Sequence, residues 1–298
     1  MKVIFTPVLL LLSACVVTDD NNNQGNLPAL EGPYLGQEPP SLIPQIFAPG
    51  YVATRHRDFS GSFTRDMTEF YFSRRNVDTG KWWLVRFKLE NNSWQESVVT
   101  PRVGRPTLAP DGNTMHLGSQ YMTRTSSGWS TVKSLGKLFD RDDWGIMRLS
   151  SSIQGTYIFD DYKNHDVLRI SEMKNGQRQP PKLLPSHINS GKWTAHPFIA
   201  ADGSYLIWDS EKADGFGDKD LYISFRHSDG SWGNAVNLGK KINTKSMEAS
   251  AYVSPDGKYL FFNRSPLVDT EGEDPEGDIY WVSAQIIDQL KEKSLTPE

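Results

Sequence analysis

A short string recurs along this chain. SPDGKYLFFNR stands at residues 254–264, APDGNTMHLGS at 109–119 and AADGSYLIWDS at 200–210, with looser copies TRDMTEFYFSR at 64–74 and SIQGTYIFDD at 152–161. Anchored on the Gly position, where Met67 stands in the first copy, the copies fall at 67, 112, 155, 203 and 257, at spacings of 45, 43, 48 and 54 residues. A period of this size constrains architecture before any chemistry is considered, because one supersecondary unit repeated in series must stack or close on itself.

The unit reads as β-structure. An alternating segment leads into an Asp-Gly turn, whose glycine tolerates the positive φ that a tight reversal needs. A strand apolar on nearly every residue follows, such as 259–263, and is expected to be buried on both faces. Third strands are expected at 82–88, 166–171, 220–225 and 278–283, and the hairpins NNSW (91–94), SSGW (126–129) and DGSW (229–232) turn into a fourth. Four antiparallel strands in each unit is the size of a propeller blade. The last unit supplies three strands before IIDQLKEK, a short terminal helix, and FAPGYVAT (47–54) is a β-like segment with no unit of its own. Pairing the two closes a ring and removes the open edge. The fold class is all-β: a single propeller of five blades closed by an N-terminal strand, with six blades as the alternative.

The amino terminus stands apart. MKVIFTPVLLLLSAC has the pattern of a secretory signal, and Leu12-Ser13-Ala14-Cys15 looks like the lipobox of bacterial lipoproteins. That resemblance implies a signal peptide over 1–14, cleavage before Cys15 and acylation of its thiol. Cys15 is the sole cysteine, so no disulfide explains it. Residues 15–26 then form a lipidated polar tether and 27–298 the propeller with its helix. Val16, where such lipoproteins carry Asp for inner-membrane retention, points to the outer membrane, with its face left open.

SPDGKYLFFNR, together with DLYISFRHSDGSW and GDIYWVSA, resembles the TolB-type propellers with the Pro-Asp-Gly variant of WD-type repeats. The resemblance spans about residues 44–290 and is strongest over the last hundred; Asp66-Met67 and Gln154-Gly155 depart from the motif. It implies a binding or scaffold module of the cell envelope, with a protein or glycan partner. The alternative is a glycan-binding or polysaccharide-degrading propeller, since propellers host unrelated activities.

Site residues are sought on the innermost strands. Reading nine and seven residues before each anchor, positions that share a strand face, brings Asp58, Arg105, Arg148, His196 and Glu248 to one channel mouth as candidate ligand-binding groups; buried charges of this kind also pair with one another. Asp58, His196 and Glu248 would be the acid and base of a glycan-cleaving variant. Asp111, Asp202 and Asp256 recur once per unit and read as turn formers, and Trp94, Trp129 and Trp232 as packing residues at equivalent hairpins. The six His residues show no metal-binding spacing. The acidic loops 214–220 and 269–278 depart from the EF-hand pattern and read as solvated. No phosphate-binding loop, dinucleotide fingerprint or nucleophile elbow occurs, and no metal or cofactor is expected. A net charge of -4 gives no electrostatic case for nucleic acid.

Overall fold

The computed structural model describes residues 30–267 and 277–295; the leader, the tether and most of the 269–278 loop lie outside them. Five sheets arranged as the blades of a propeller account for the main strands of this portion. Their innermost strands are Arg57–Phe63, Pro106–Leu108, Leu149–Ser151, Lys192–Ile199 and Met247–Val253. Each contacts the innermost strands of the two neighbouring blades, and the fifth meets the first. The second strands, Glu69–Arg75, Thr114–Leu117, Tyr157–Asp161, Tyr205–Glu211 and Tyr259–Ser265, are the buried runs read from the repeat. Third strands run over Trp82–Glu90, Gln120–Thr125, Val167–Ser171, Asp220–Phe225 and Asp278–Ser283.

The Asp-Gly turns hold themselves. Asp111 Oδ1 accepts from the N–H of Asn113 and Thr114, Asp202 Oδ1 from Ser204 and Asp256 Oδ1 from Lys258. Gly112, Gly155, Gly203 and Gly257 all have φ between 73° and 80°. Met67 adopts φ 59° in the same place. The turn geometry therefore survives where the motif departs, with Asp66 Oδ1 accepting from the Thr68 N–H.

The closing strand is displaced from its expected position. Gln45–Ile46 pairs antiparallel with Asp278–Ser283, Gln45 opposite Trp281 and Ile46 opposite Tyr280. Phe47 adds one bond, its N–H donating to Ile279 O at 2.8 Å, and residues 48–53 then coil around Ala48 O rather than extending. Phe47 is a wedge: fully buried, its ring lies 5.1–6.1 Å from those of Phe63, Phe70, Phe261 and Trp281. Residues 30–41 lace the same seam. Leu30 O accepts from the Trp94 N–H, the Tyr34 hydroxyl donates to Asp256, and Ser41 O accepts from the Ser283 N–H. The terminal helix, Gln285–Leu295, is where IIDQLKEK placed it.

Three blades share a device at mid-strand. Ser60, His196 and Ser250, equivalent positions in the first, fourth and fifth blades, adopt φ of 58°, 46° and 58° at β-bulges of the innermost strand. A bulge leaves its extra residue outside the ladder, and each of these N–H groups donates instead to the preceding blade: Ser60 to Asn263 Oδ1 (2.9 Å), His196 to Asp160 Oδ2 (3.1 Å), Ser250 to Asp209 Oδ1 (3.0 Å). Asn263 also donates to Asp58 O at 2.7 Å. Removing its amide leaves the buried Ser60 N–H unsatisfied, so Asn263→Ala is expected to cost about 1–3 kcal/mol from that group alone, read by urea unfolding. A loss below 0.5 kcal/mol would show that the staple contributes little.

Candidate functional site

The five expected site residues separate into two sets. Asp58 and Glu248 are buried but bound within their own blades. Asp58 Oδ1 accepts from Arg74 Nε and Glu248 Oε1 from Arg264 Nε, each at 2.7 Å. Each arginine also reaches a carbonyl of the linker preceding its blade, Tyr51 O for Arg74 and Ile242 O for Arg264. Burial pushes the Asp58 carboxyl up to about 7 against the pull of Arg74, and raises Glu248 against Thr244 and Arg264. These are clamps that fix linkers to blades.

Arg105, Arg148 and His196 do come together, with Ser250, and Ser60 holds the equivalent place on the innermost strand of the first blade. Arg105 extends across the channel from the second blade to the fifth, donating Nη1 to Ser250 Oγ at 3.1 Å, with Phe59 under its guanidinium at 5.7 Å. Arg148 is fully buried; its Nε donates to Thr107 Oγ1 at 3.2 Å. His196 Nδ1 lies 3.0 Å from both Asp209 carboxylate oxygens. Burial lowers the His196 pKa, Arg105 adds to this and Asp209 opposes it, so the imidazole is neutral at pH 7, with Nδ1–H donating to Asp209. Burial pushes Arg148 down to about 10, reinforced by Arg105 and opposed by Asp209 and Asp160. Asp160 is raised by burial although three backbone N–H groups, of Met147, Arg148 and His196, donate to it. Asp209 is held low, because His196 and the Ser250 N–H outweigh its burial.

A second feature, absent from the sequence reading, lies at the Asp-Gly turn end of the channel. A pocket of about 480 Å³ is lined from all five blades. Its walls are apolar: Phe63, Leu108, Phe198, Ile199, Tyr252 and Val253. Ser150 and Ser151 supply polar groups, and Arg65 and Asp202 carry charge at the turns. Tyr252 is pinned by its hydroxyl, which donates to Phe63 O at 3.0 Å, and Ser150 Oγ accepts from the Ile199 N–H at 3.1 Å. Single apolar residues contributed at distant positions carry no local pattern, although Phe198 and Tyr252 stand at matching places five residues before their anchors.

The hairpin tryptophans pack as expected. Trp94 Nε1 donates to Gly32 O and Trp129 Nε1 to Tyr71 OH, while Trp232 is buried. In the 214–220 loop, Asp220 Oδ2 accepts from the Phe216 N–H and Asn237 Nδ2. Among the described residues no group of three His, Cys, Asp or Glu is placed to hold a metal.

No family model matches the sequence, and no curated protein is significantly similar to it. Among solved structures, the fold is similar to TolB from Acinetobacter baumannii, at 15% identity and a TM-score of 0.47 over 78% of this chain and 58% of that one. It is also similar to the catalytic domain of a GH62 α-L-arabinofuranosidase from Coprinopsis cinerea, at 12% identity and a TM-score of 0.49 over 82% of this chain and 94% of that one. An α-L-arabinofuranosidase from Podospora anserina is similar at 10% identity and a TM-score of 0.46, over 87% and 98% of the two chains. The chain thus spans well under two thirds of the TolB structure, and likenesses at this level assign no activity.

His116 gives the stability of the fold a pH dependence. It is fully buried, with Nε2 3.2 Å from Ser151 Oγ and its ring edge-on to Tyr157. Burial lowers it from 6.5 to about 4, with Asp111 opposing and Arg178 assisting. A depressed histidine contributes stability above its unfolded pKa and loses it as pH falls toward the folded one. This contribution therefore fades between pH 6.5 and 4, by about 3 kcal/mol. Asp58, Asp160 and Glu248, all raised, act in the opposite sense over acid pH. The difference between wild type and His116→Gln isolates the histidine: the gap in unfolding free energy should shift in the variant's favour by about 3 kcal/mol from pH 7 to pH 4. A constant gap would place the His116 pKa near its ordinary value.

Proposed function

We propose that this chain is a binding module of the bacterial cell envelope, held to the outer membrane through acylated Cys15, which receives a segment of a partner protein at the pocket on its Asp-Gly turn face. The observation that carries this reading is the pocket itself. All five blades line it, its walls are apolar, and backbone-anchored Tyr252 and Ser150 give it a fixed shape, the combination expected of a preformed binding site. The leader and lipobox of the sequence support the envelope location.

Glycan cleavage is the weaker alternative. It requires an acid and a base free to act on the substrate. Asp58 and Glu248 are clamped by arginine, so neither stands free to serve as the partner acid or base of His196. These ties favour binding over hydrolysis.

Ile153, on the pocket rim and 53% exposed, is the position for a photo-crosslinking residue in intact cells. Irradiation is expected to yield a discrete adduct with an envelope protein, lost when Arg65→Glu is added and when Cys15→Ser prevents anchoring. Absence of any adduct, together with a thermal shift on adding envelope polysaccharide, would overturn the protein-binding reading in favour of the glycan one.

A further inference from the structure

The ring of five equivalent residues in the channel, Ser60, Arg105, Arg148, His196 and Ser250, carries unmet hydrogen-bonding capacity. Both terminal nitrogens of Arg148, Nη1 and Nη2, are buried without a partner, as are Ser60 Oγ and His196 Nε2. Three blades thus direct orphaned polar atoms into one channel, which Arg105 crosses to reach Ser250. Buried donors of this kind are rare in native proteins, and a buried guanidinium with an unbound fork is costly.

The carboxylates nearby do not serve the fork. Asp160 accepts from three backbone N–H groups and Asp209 from His196 and the Ser250 N–H. Neither accepts a hydrogen bond from the Arg148 guanidinium: the backbone N–H of Arg148 donates to Asp160, and its Nε to Thr107. With Nε occupied, the edge that remains is the Nη1–Nη2 pair, which matches the two oxygens of a carboxylate. Arg105 adds a second positive charge, its Nη1 reaching across the channel to Ser250 Oγ. Ser60 Oγ supplies a donor on the first blade, and the lone pair of neutral His196 Nε2 accepts from a ligand hydroxyl or from a water accompanying the ligand.

We infer that this ring is a binding site for a small anion of the carboxylate type, seated on the Arg148 fork between Arg105, Ser60 and His196. The site is distinct from the turn-face pocket and does not rest on the function proposed for it. Tyr252, Phe198 and Ser150, two residues further along the same strands, line that pocket.

The test uses the folded wild-type chain with formate as probe. Its melting temperature is followed against sodium formate at constant ionic strength, balanced with the sodium salt of a bulky sulfonate. The expected result is a rise of about 5 °C once formate is roughly thirty-fold above half-saturation. The rise should vanish in Arg148→Met, an apolar replacement of similar length. Crystals of the wild type soaked in formate, and in bromide for its anomalous signal, provide the measurement that needs no variant. Density for either anion within hydrogen-bond distance of Arg148 Nη1 and Nη2 supports the site. Water alone at that position, with no formate-dependent change in melting temperature, overturns it.

Discussion

The staple at the mid-strand bulges makes each participating blade dependent on the one before it. A bulge residue in the left-handed region withdraws its N–H from its own ladder, and once buried that group needs another acceptor. Asn263, Asp160 and Asp209 supply it from the second strand of the preceding blade. This explains polar residues in strands that are otherwise apolar and buried, as in Leu-Phe-Phe-Asn at 260–263 and Leu-Ile-Trp-Asp at 206–209. It also sets the electrostatics of the channel, because two of the three acceptors are carboxylates and their charge faces Arg105 and Arg148. Structural staple and channel chemistry are therefore the same groups.

Closure follows from a different resource. Where the chain is continuous, adjacent blades are held by a covalent linker as well as by packing; between the fifth blade and the first there is none. At that seam the fold places its largest aromatic cluster, centred on Phe47, Phe63, Phe70, Phe261 and Trp281. Two strand residues, Gln45 and Ile46, contribute little ladder, so the seam relies on buried apolar area, at about 25 cal/mol per Å², more than on strand pairing. Tyr34 and Trp94 extend it outward by binding Asp256 and Gly32. An interface assembled from several segments tolerates the closing strand sitting two residues upstream of where its β-like composition suggested.

The parts of the fold legible in the sequence are those governed by local rules. A turn that caps its own amides and a strand apolar on both faces each leave a contiguous signature, so the second and third strands fell close to their expected limits. The site was less legible because it depends on an irregularity. Counting in steps of two puts residues 58 and 60 on one face, but the bulge at Ser60 breaks the alternation. Asp58 and Glu248 then turn to Arg74 and Arg264, while Arg148 and His196 enter the channel. Nothing in a single strand announces φ of 58° at a serine. A second repeat is equally illegible from local pattern: LPSHIN at 184–189 and LGKKIN at 238–243 each end in an asparagine that exchanges bonds with the third strand, Asn189 with Leu168 and Asn243 with Leu221. Its ligands are backbone atoms some twenty residues away, which no local pattern encodes.

The two ends of the innermost strands have opposite chemistry, and the bulge is the boundary between them. On the turn side of it the inward residues are Phe198, Tyr252 and Ser150, which leave an apolar pocket; at it they are arginine, histidine and serine. Tyr252 belongs to both, its ring lining the pocket and its electrostatic neighbours including Arg148. An occupant of the pocket therefore meets a wall of fixed shape, since Tyr252 is held by Phe63 O and the Ser250 backbone beneath it by Asp209. A preformed apolar site loses little entropy on ordering, so affinity there comes from shape and burial, whereas an anion in the ring would be selected by geometry and charge.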